Sequence, residues 1–268
     1  MNLELIVEQV VELSRKVGRW ALSERVGLQQ SSVEAKGEHD FVSHVDRTCE
    51  RMLVEALTPM LPQAGFIAEE GTGRPIHGGL NWVVDPLDGT TNYIHGLAPH
   101  AVSVALVEGS TPLLGVIYEP NLDECFWATA QSPALLNGSP IAVSSTAKVS
   151  NALVATGFPY YDYTRLPGFM LSMEHLMRHT HGLRRLGSAA TDLAYVAAGR
   201  FDAFYEYGLS PWDVAAGALI VQRAGGLVCD YQGGANHIFG REIIATNPLL
   251  HAEFMGIVQQ FMNNQAHE

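Results

Sequence analysis

The stretch Trp82-Val83-Val84-Asp85-Pro86-Leu87-Asp88-Gly89-Thr90-Thr91-Asn92-Tyr93 is the most informative in the chain. Its three large apolar residues predict a buried strand that delivers Asp85 to its end. Pro86 fixes its own backbone and predicts a turn, so that Asp88 arrives close enough to share a cation with Asp85. A tight turn aims the Leu87 carbonyl at the same region. Gly89 permits close backbone approach to a ligand, and Thr90 and Thr91 add hydroxyls. A helix starting here with Asp88 as its cap offers N–H groups to an anion. Asp-Pro and Asp-Gly are also ordinary turn dipeptides, so a plain turn stays open on this stretch alone.

Other acids change the balance. Glu69 and Glu70 end a second apolar strand, Phe66-Ile67-Ala68. Asp213 stands in Ser210-Pro211-Trp212-Asp213, at the first turn of an otherwise apolar helix, where the helix dipole also favours an acid. Asp40 and Asp46 flank Phe41-Val42-Ser43-His44-Val45 and say little by themselves.

Around these segments the pattern is regular. Leu3, Ile6, Val7, Val10, Val11, Val17, Trp20 and Ala21 have the period of an amphipathic helix over 3–27. Residues 29–40 read as a loop or exposed hairpin, and 44–61 as a second helix ended by Pro62. Strands follow at 66–68, 82–84, 101–107 and 113–118, with short strands around the Asn137-Gly138 turn. The back half alternates: strand 152–155, helix 169–178, helix 189–198, strand 201–207, helix 211–224, strands 227–229 and 243–245, and helix 249–262. The expected fold is α+β passing into α/β, with a mostly antiparallel N-terminal sheet and a smaller C-terminal α/β layer. A single catalytic domain over 1–268 is expected, with lobes at 1–145 and 146–268.

The net charge of −12 opposes binding to nucleic acid or an anionic membrane. It also repels an anionic substrate unless bound cations invert the local field. No apolar run reaches membrane-spanning length, and the first residues lack a basic signal-peptide region, so a cytoplasmic location is expected. Cys49, Cys125 and Cys229 form no CxxC pair and read as buried thiols. His39 and His44, among eleven histidines, lie five apart, and hard cations disfavour imidazole, so neither is read as a ligand. Lys36 reads as a solvated loop lysine.

The Trp82–Tyr93 stretch resembles the first signature of the inositol monophosphatase family at every defining position. Trp212-Asp213-Val214-Ala215-Ala216-Gly217 through Ala224-Gly225-Gly226 resembles its second. The stretches from Asp40 to Asp46 and from Phe66 to Glu70 resemble two further family blocks, in order. Ala68 and Gly71 stand where relatives often carry glycine and serine. Gly157-Phe158-Pro159-Tyr160-Tyr161 departs from the animal enzymes and resembles bacterial members.

The resemblance implies a layered αβαβα sugar-phosphatase fold and two Mg²⁺ ions per subunit, with a third, weaker one near Glu69. Metal ligands would be Glu69, Asp85, the Leu87 carbonyl, Asp88 and Asp213. Thr90 would orient the attacking water with Asp46 behind it, and Glu69 shares the catalytic role. The N–H groups of Gly89 and Thr90 would hold phosphate. Asp88, Gly187, Ser188, Ala189 and Glu206 would complete the substrate site. The implied reaction is hydrolysis of a phosphate monoester, myo-inositol monophosphate first, by direct in-line attack of water. Fructose 1,6-bisphosphate, histidinol phosphate, a 3′-phosphonucleotide, or a non-catalytic binding protein on the same fold are the alternatives. Lithium sensitivity and a homodimer are further family expectations.

Overall fold

The computed structural model describes residues 1–25, 33–37 and 40–262. The side chains of Lys36, His39 and Asp40 lie outside what is described. Helix α1 (Leu3–Glu24) begins at Asn2, whose side chain accepts the Leu5 N–H, and buries the apolar stripe read from its spacing. Strands β1 (Val33–Gly37) and β2 (Asp40–Ser43) pair antiparallel, which resolves the loop-or-hairpin alternative as a hairpin. Helix α2 (His44–Met60) follows directly.

A seven-stranded sheet comes next. Its strands are β3 (Gly65–Ala68), β4 (Leu80–Asp88), β5 (Ala101–Glu108), β6 (Thr111–Glu119), β7 (Glu124–Thr129), β8 (Leu135–Leu136) and β9 (Ser139–Pro140). They lie in chain order, with only β3 and β4 parallel. Between β4 and β5 runs the short helix α3 (Thr90–Ile94).

The second sheet has five strands: β10 (Leu153–Thr156), β11 (Gly182–Arg184), β12 (Ala203–Tyr207), β13 (Leu227–Cys229) and β14 (Glu242–Thr246). Their spatial order is β11-β10-β12-β14-β13. The remaining helices are α4 (Leu166–His179), α5 (Ala189–Ala197), α6 (Pro211–Arg223) and α7 (His251–Met262).

Three apolar cores stack these elements into five layers. One core joins α1 and α2 to one face of the large sheet. The next joins the other face to α5, α6 and the small sheet. The last joins the far face of the small sheet to α4 and α7. The order is therefore αβαβα, as the resemblance implied. Helix α6 is sandwiched between two sheets, which is why its sequence is apolar all round. It lies tight on the large sheet because Gly115 of β6 has no side chain. A Cβ there would come within 2.7 Å of the Ala216 carbonyl oxygen.

All three cysteines are free and buried. Among the described residues no helix is long and apolar enough to cross a membrane. The sequence reading had no strand at Gly182–Arg184, a three-residue edge too short to show a period. It also placed a turn at Pro86, where the structure continues the strand to Asp88.

Candidate metal and phosphate site

The departure at Pro86 builds the site. Successive residues of a strand point to opposite faces, so acids three apart would be separated by the sheet. In β4, Asp85 pairs with Ser103 of β5 and Asp88 with Ala101, three residues against two. This is a β-bulge, and Pro86 sits where the ladder needs no N–H. Trp82, Val84 and Leu87 consequently face the α1/α2 core, whereas Val83 faces the α5/α6 layer. Asp85 and Asp88 share that second side.

The N-terminus of α6 covers it. Ser103 donates to the Trp212 carbonyl at 3.2 Å, and Asp213 in the first turn accepts the Ser210 N–H at 2.7 Å. One carboxylate oxygen each from Asp85, Asp88 and Asp213 lies within 4.8 Å of the others. Among the described residues no other set of three His, Cys, Asp or Glu converges so tightly. An all-carboxylate donor set fits a hard divalent cation.

Asp88 does not cap the following helix, as the sequence suggested. The cap is Gly89, at φ 89°, and a Cβ there would lie 3.0 Å from the Gly187 carbonyl and 3.1 Å from that of Pro99. Asp88 reaches across to α5 instead. Its Oδ2 accepts from the Ser188 hydroxyl at 2.6 Å and the Ala190 N–H at 2.8 Å. Hydrogen bonds to a charged group contribute roughly 1.5–3 kcal/mol each. Asn92 of α3 donates to the Pro99 and Leu186 carbonyls at 2.8 and 2.7 Å, which fixes the loop carrying Gly187.

Glu69 follows β3, its N–H continuing the ladder to the Val84 carbonyl at 3.2 Å. It stands outside the tight group of three but is the strongest neighbouring charge acting on Asp85. The buried Glu50 of α2, a residue the sequence reading passed over, accepts the Glu70 and Thr72 N–H groups at 2.7 and 2.9 Å. It thereby holds the loop that bears Glu69. The Thr90 hydroxyl lies 3.0 Å from both Asp46 Oδ1 and the Leu87 carbonyl and donates to one at a time.

Above these groups opens a cavity of about 360 Å³. Glu69, Asp88, Gly89, Thr90, Gly187, Ser188, Ala189, Glu206 and Asp213 all line it, as do Phe158, Tyr160, Arg185 and Asp192, which sequence reasoning gave no role. A lone acid inside an apolar helix, such as Asp192, gives no signal by spacing.

Burial and mutual repulsion raise the acids. Asp85 is pushed well above the usual carboxylate range by burial, then by Glu69, Asp88 and Asp213. Burial pushes Asp88 up to about 6, against the Ser188 and Ala190 hydrogen bonds. Burial and then Asp88 push Asp213 up to about 7. Without a cation the folded chain holds protons that unfolded aspartates lose near 4, so these groups favour folding less as pH rises through about 7.

A divalent cation held by these carboxylates would replace those protons. The gain in Tm from saturating Mg²⁺ is expected to be at least about 4 °C larger at pH 8 than at pH 5.5. Differential scanning fluorimetry measures it, and buried histidines cancel between the paired scans. Equal gains at both pH values would show that the carboxylates do not take the ion.

A model of the inositol monophosphatase family matches residues 2–263. An inositol-1-monophosphatase of Mesorhizobium japonicum is 37% identical over 262 residues, 97% of this chain and 98% of its own length. Nus factor SuhB of Escherichia coli strain K12 is 39% identical over 244 residues, 89% of this chain and 90% of that one. Among solved structures, the extragenic suppressor protein suhB of Bartonella henselae superposes with a TM-score of 0.90 at 36% identity. That likeness covers 96% of this chain and 99% of the other. Likeness of this extent, along nearly the whole of each partner, settles kinship: the chain belongs to the inositol monophosphatase family.

Proposed function

We propose that the chain is a Mg²⁺-dependent phosphomonoesterase whose preferred substrate is myo-inositol monophosphate. The observation that carries this is the meeting of Asp85 and Asp88 with the distant Asp213 beside a cavity lined by Thr90 and Glu206. Asp85, Asp88, Asp213, Glu69 and the Leu87 carbonyl would hold two ions, with a third, weaker one near Glu69. Mg²⁺ held there would supply charge neutralisation for the phosphate and would lower the pKa of water towards neutrality.

The chain's own groups do the rest. Asp46 accepts the Thr90 proton, which leaves a Thr90 lone pair to orient the attacking water. The N–H groups of Gly89 and Thr90 face the phosphate. Gly187, Ser188 and Ala189 border the leaving alcohol, and Glu206 accepts from its hydroxyls. Attack is in line, with no phosphoenzyme, since phosphoryl transfer needs positioning and charge stabilisation rather than a covalent relay. A single catalytic domain, a homodimer and a cytoplasmic setting belong to the same reading.

Release of inorganic phosphate from a panel of esters tests it. Inositol monophosphate is expected to rank first, ahead of fructose 1,6-bisphosphate, histidinol phosphate and a 3′-phosphonucleotide, and only with Mg²⁺ present. Another ester far ahead would overturn the substrate assignment. The name Nus factor on the Escherichia coli relative favours a second reading, a protein factor using the same fold. No phosphate release from any ester would favour that one.

A further inference from the structure

Asp192, on α5, has no task in the chemistry described so far. It is wholly buried, it lines the cavity, and neither carboxylate oxygen has a hydrogen-bond partner among the described residues. Buried acids are seldom left so, because removing a charge from water without a partner is costly. Asp192 lies one helical turn beyond Ser188 and on the same face of α5, the face that fastens Asp88. Glu206 reaches the same cavity from β12. It occupies the space left by Gly157, where a Cβ would lie 2.0 Å from the Glu206 carboxyl. Burial and then the charge of Glu206 both push Asp192 well above the ordinary carboxylate range.

Two carboxyl groups thus face one cavity, Asp192 with neither oxygen partnered among the described residues, and each keeps an acceptor oxygen whether ionised or protonated. The ester's phosphate cannot supply donors to them. A further cation is disfavoured by Arg185, whose charge already acts on both acids. Hydroxyls fit, since each brings one proton to an acceptor oxygen, directly or through one held water.

We infer that Asp192 acts with Glu206 as a specificity residue, accepting hydrogen bonds from hydroxyls of the leaving group. The site then selects a polyhydroxylated, uncharged alcohol over one that is apolar or bears a second phosphate. This rests on the phosphomonoesterase reading above.

The test compares Asp192→Asn with the wild-type chain, both saturated with Mg²⁺, on myo-inositol 1-phosphate and on 4-nitrophenyl phosphate. Expected is a fall in kcat/KM at least about tenfold greater for the inositol ester than for the aryl ester. Equal losses on both, or none, overturn the inference while leaving the phosphatase reading intact. A wild-type chain inert towards both esters defeats that reading and this one with it. Singly deoxygenated inositol phosphates repeat the test on the wild-type chain, should the variant fail to fold. Loss of at least one hydroxyl besides the one Glu206 serves must lower kcat/KM about tenfold, and a flat series overturns the assignment.

Discussion

Asp88→Asn is expected to lower phosphate release by on the order of 10³-fold while leaving the chain folded. The reason lies in how the two oxygens of Asp88 divide their duties. One accepts from Ser188 and Ala190 and ties β4 to α5. An asparagine carbonyl can keep both of those bonds, so its NH₂ takes the other position and presents protons where a cation would bind. The substitution also removes one of the charges that raise Asp85 and Asp213. The metal-free variant should therefore melt no lower than the metal-free wild type at pH 8, and should gain less from Mg²⁺. Steady-state phosphate release and paired melting curves check both halves. Full Mg²⁺-dependent turnover in the variant would refute the ligand role of Asp88.

The second large effect is on stability. Gly115→Val is expected to cost about 3 kcal/mol or more. A side chain at 115 meets the Ala216 carbonyl oxygen at 2.7 Å and its Cα at 2.8 Å, and both are backbone. No rotamer relieves that contact, and α6 has to move off the sheet. Asp213 rides on the same helix, three residues earlier, so Mg²⁺ binding should weaken together with stability. Urea unfolding and Mg²⁺ titration of the variant check this, and wild-type values in both would show that α6 yields without cost.

Most elements were legible because each has a single dominant period. The stripe of α1, the strand-length apolar runs at 101–107 and 113–118, and the proline-led α6 all signalled their type locally. The geometry of the site was not. Asp85-Pro86 has the composition of a turn, and only its pairing with Ser103 and Ala101 shows a bulged strand. Asp88 looks like a cap from sequence because it precedes Gly89 and Thr90. Its real partners are a hundred residues away. Glu50 and Asp192 lie among helical residues where an acid usually faces water, so nothing in their spacing announces burial. Long-range contacts set the fate of these four, and local pattern does not encode them.

The surplus peptide unit in β4 makes the arithmetic of the backbone part of the chemistry. Odd spacing between two acids ordinarily means opposite sides, and here it means one. Ironing out the bulge with the three-residue Asp85–Asp88 interval unchanged would keep both acids in the chain yet return strict odd–even alternation. The second carboxylate would then turn towards the layer filled by Trp82 and Val84. Counting residues therefore matters as much as naming them when such a site is sought in another sequence.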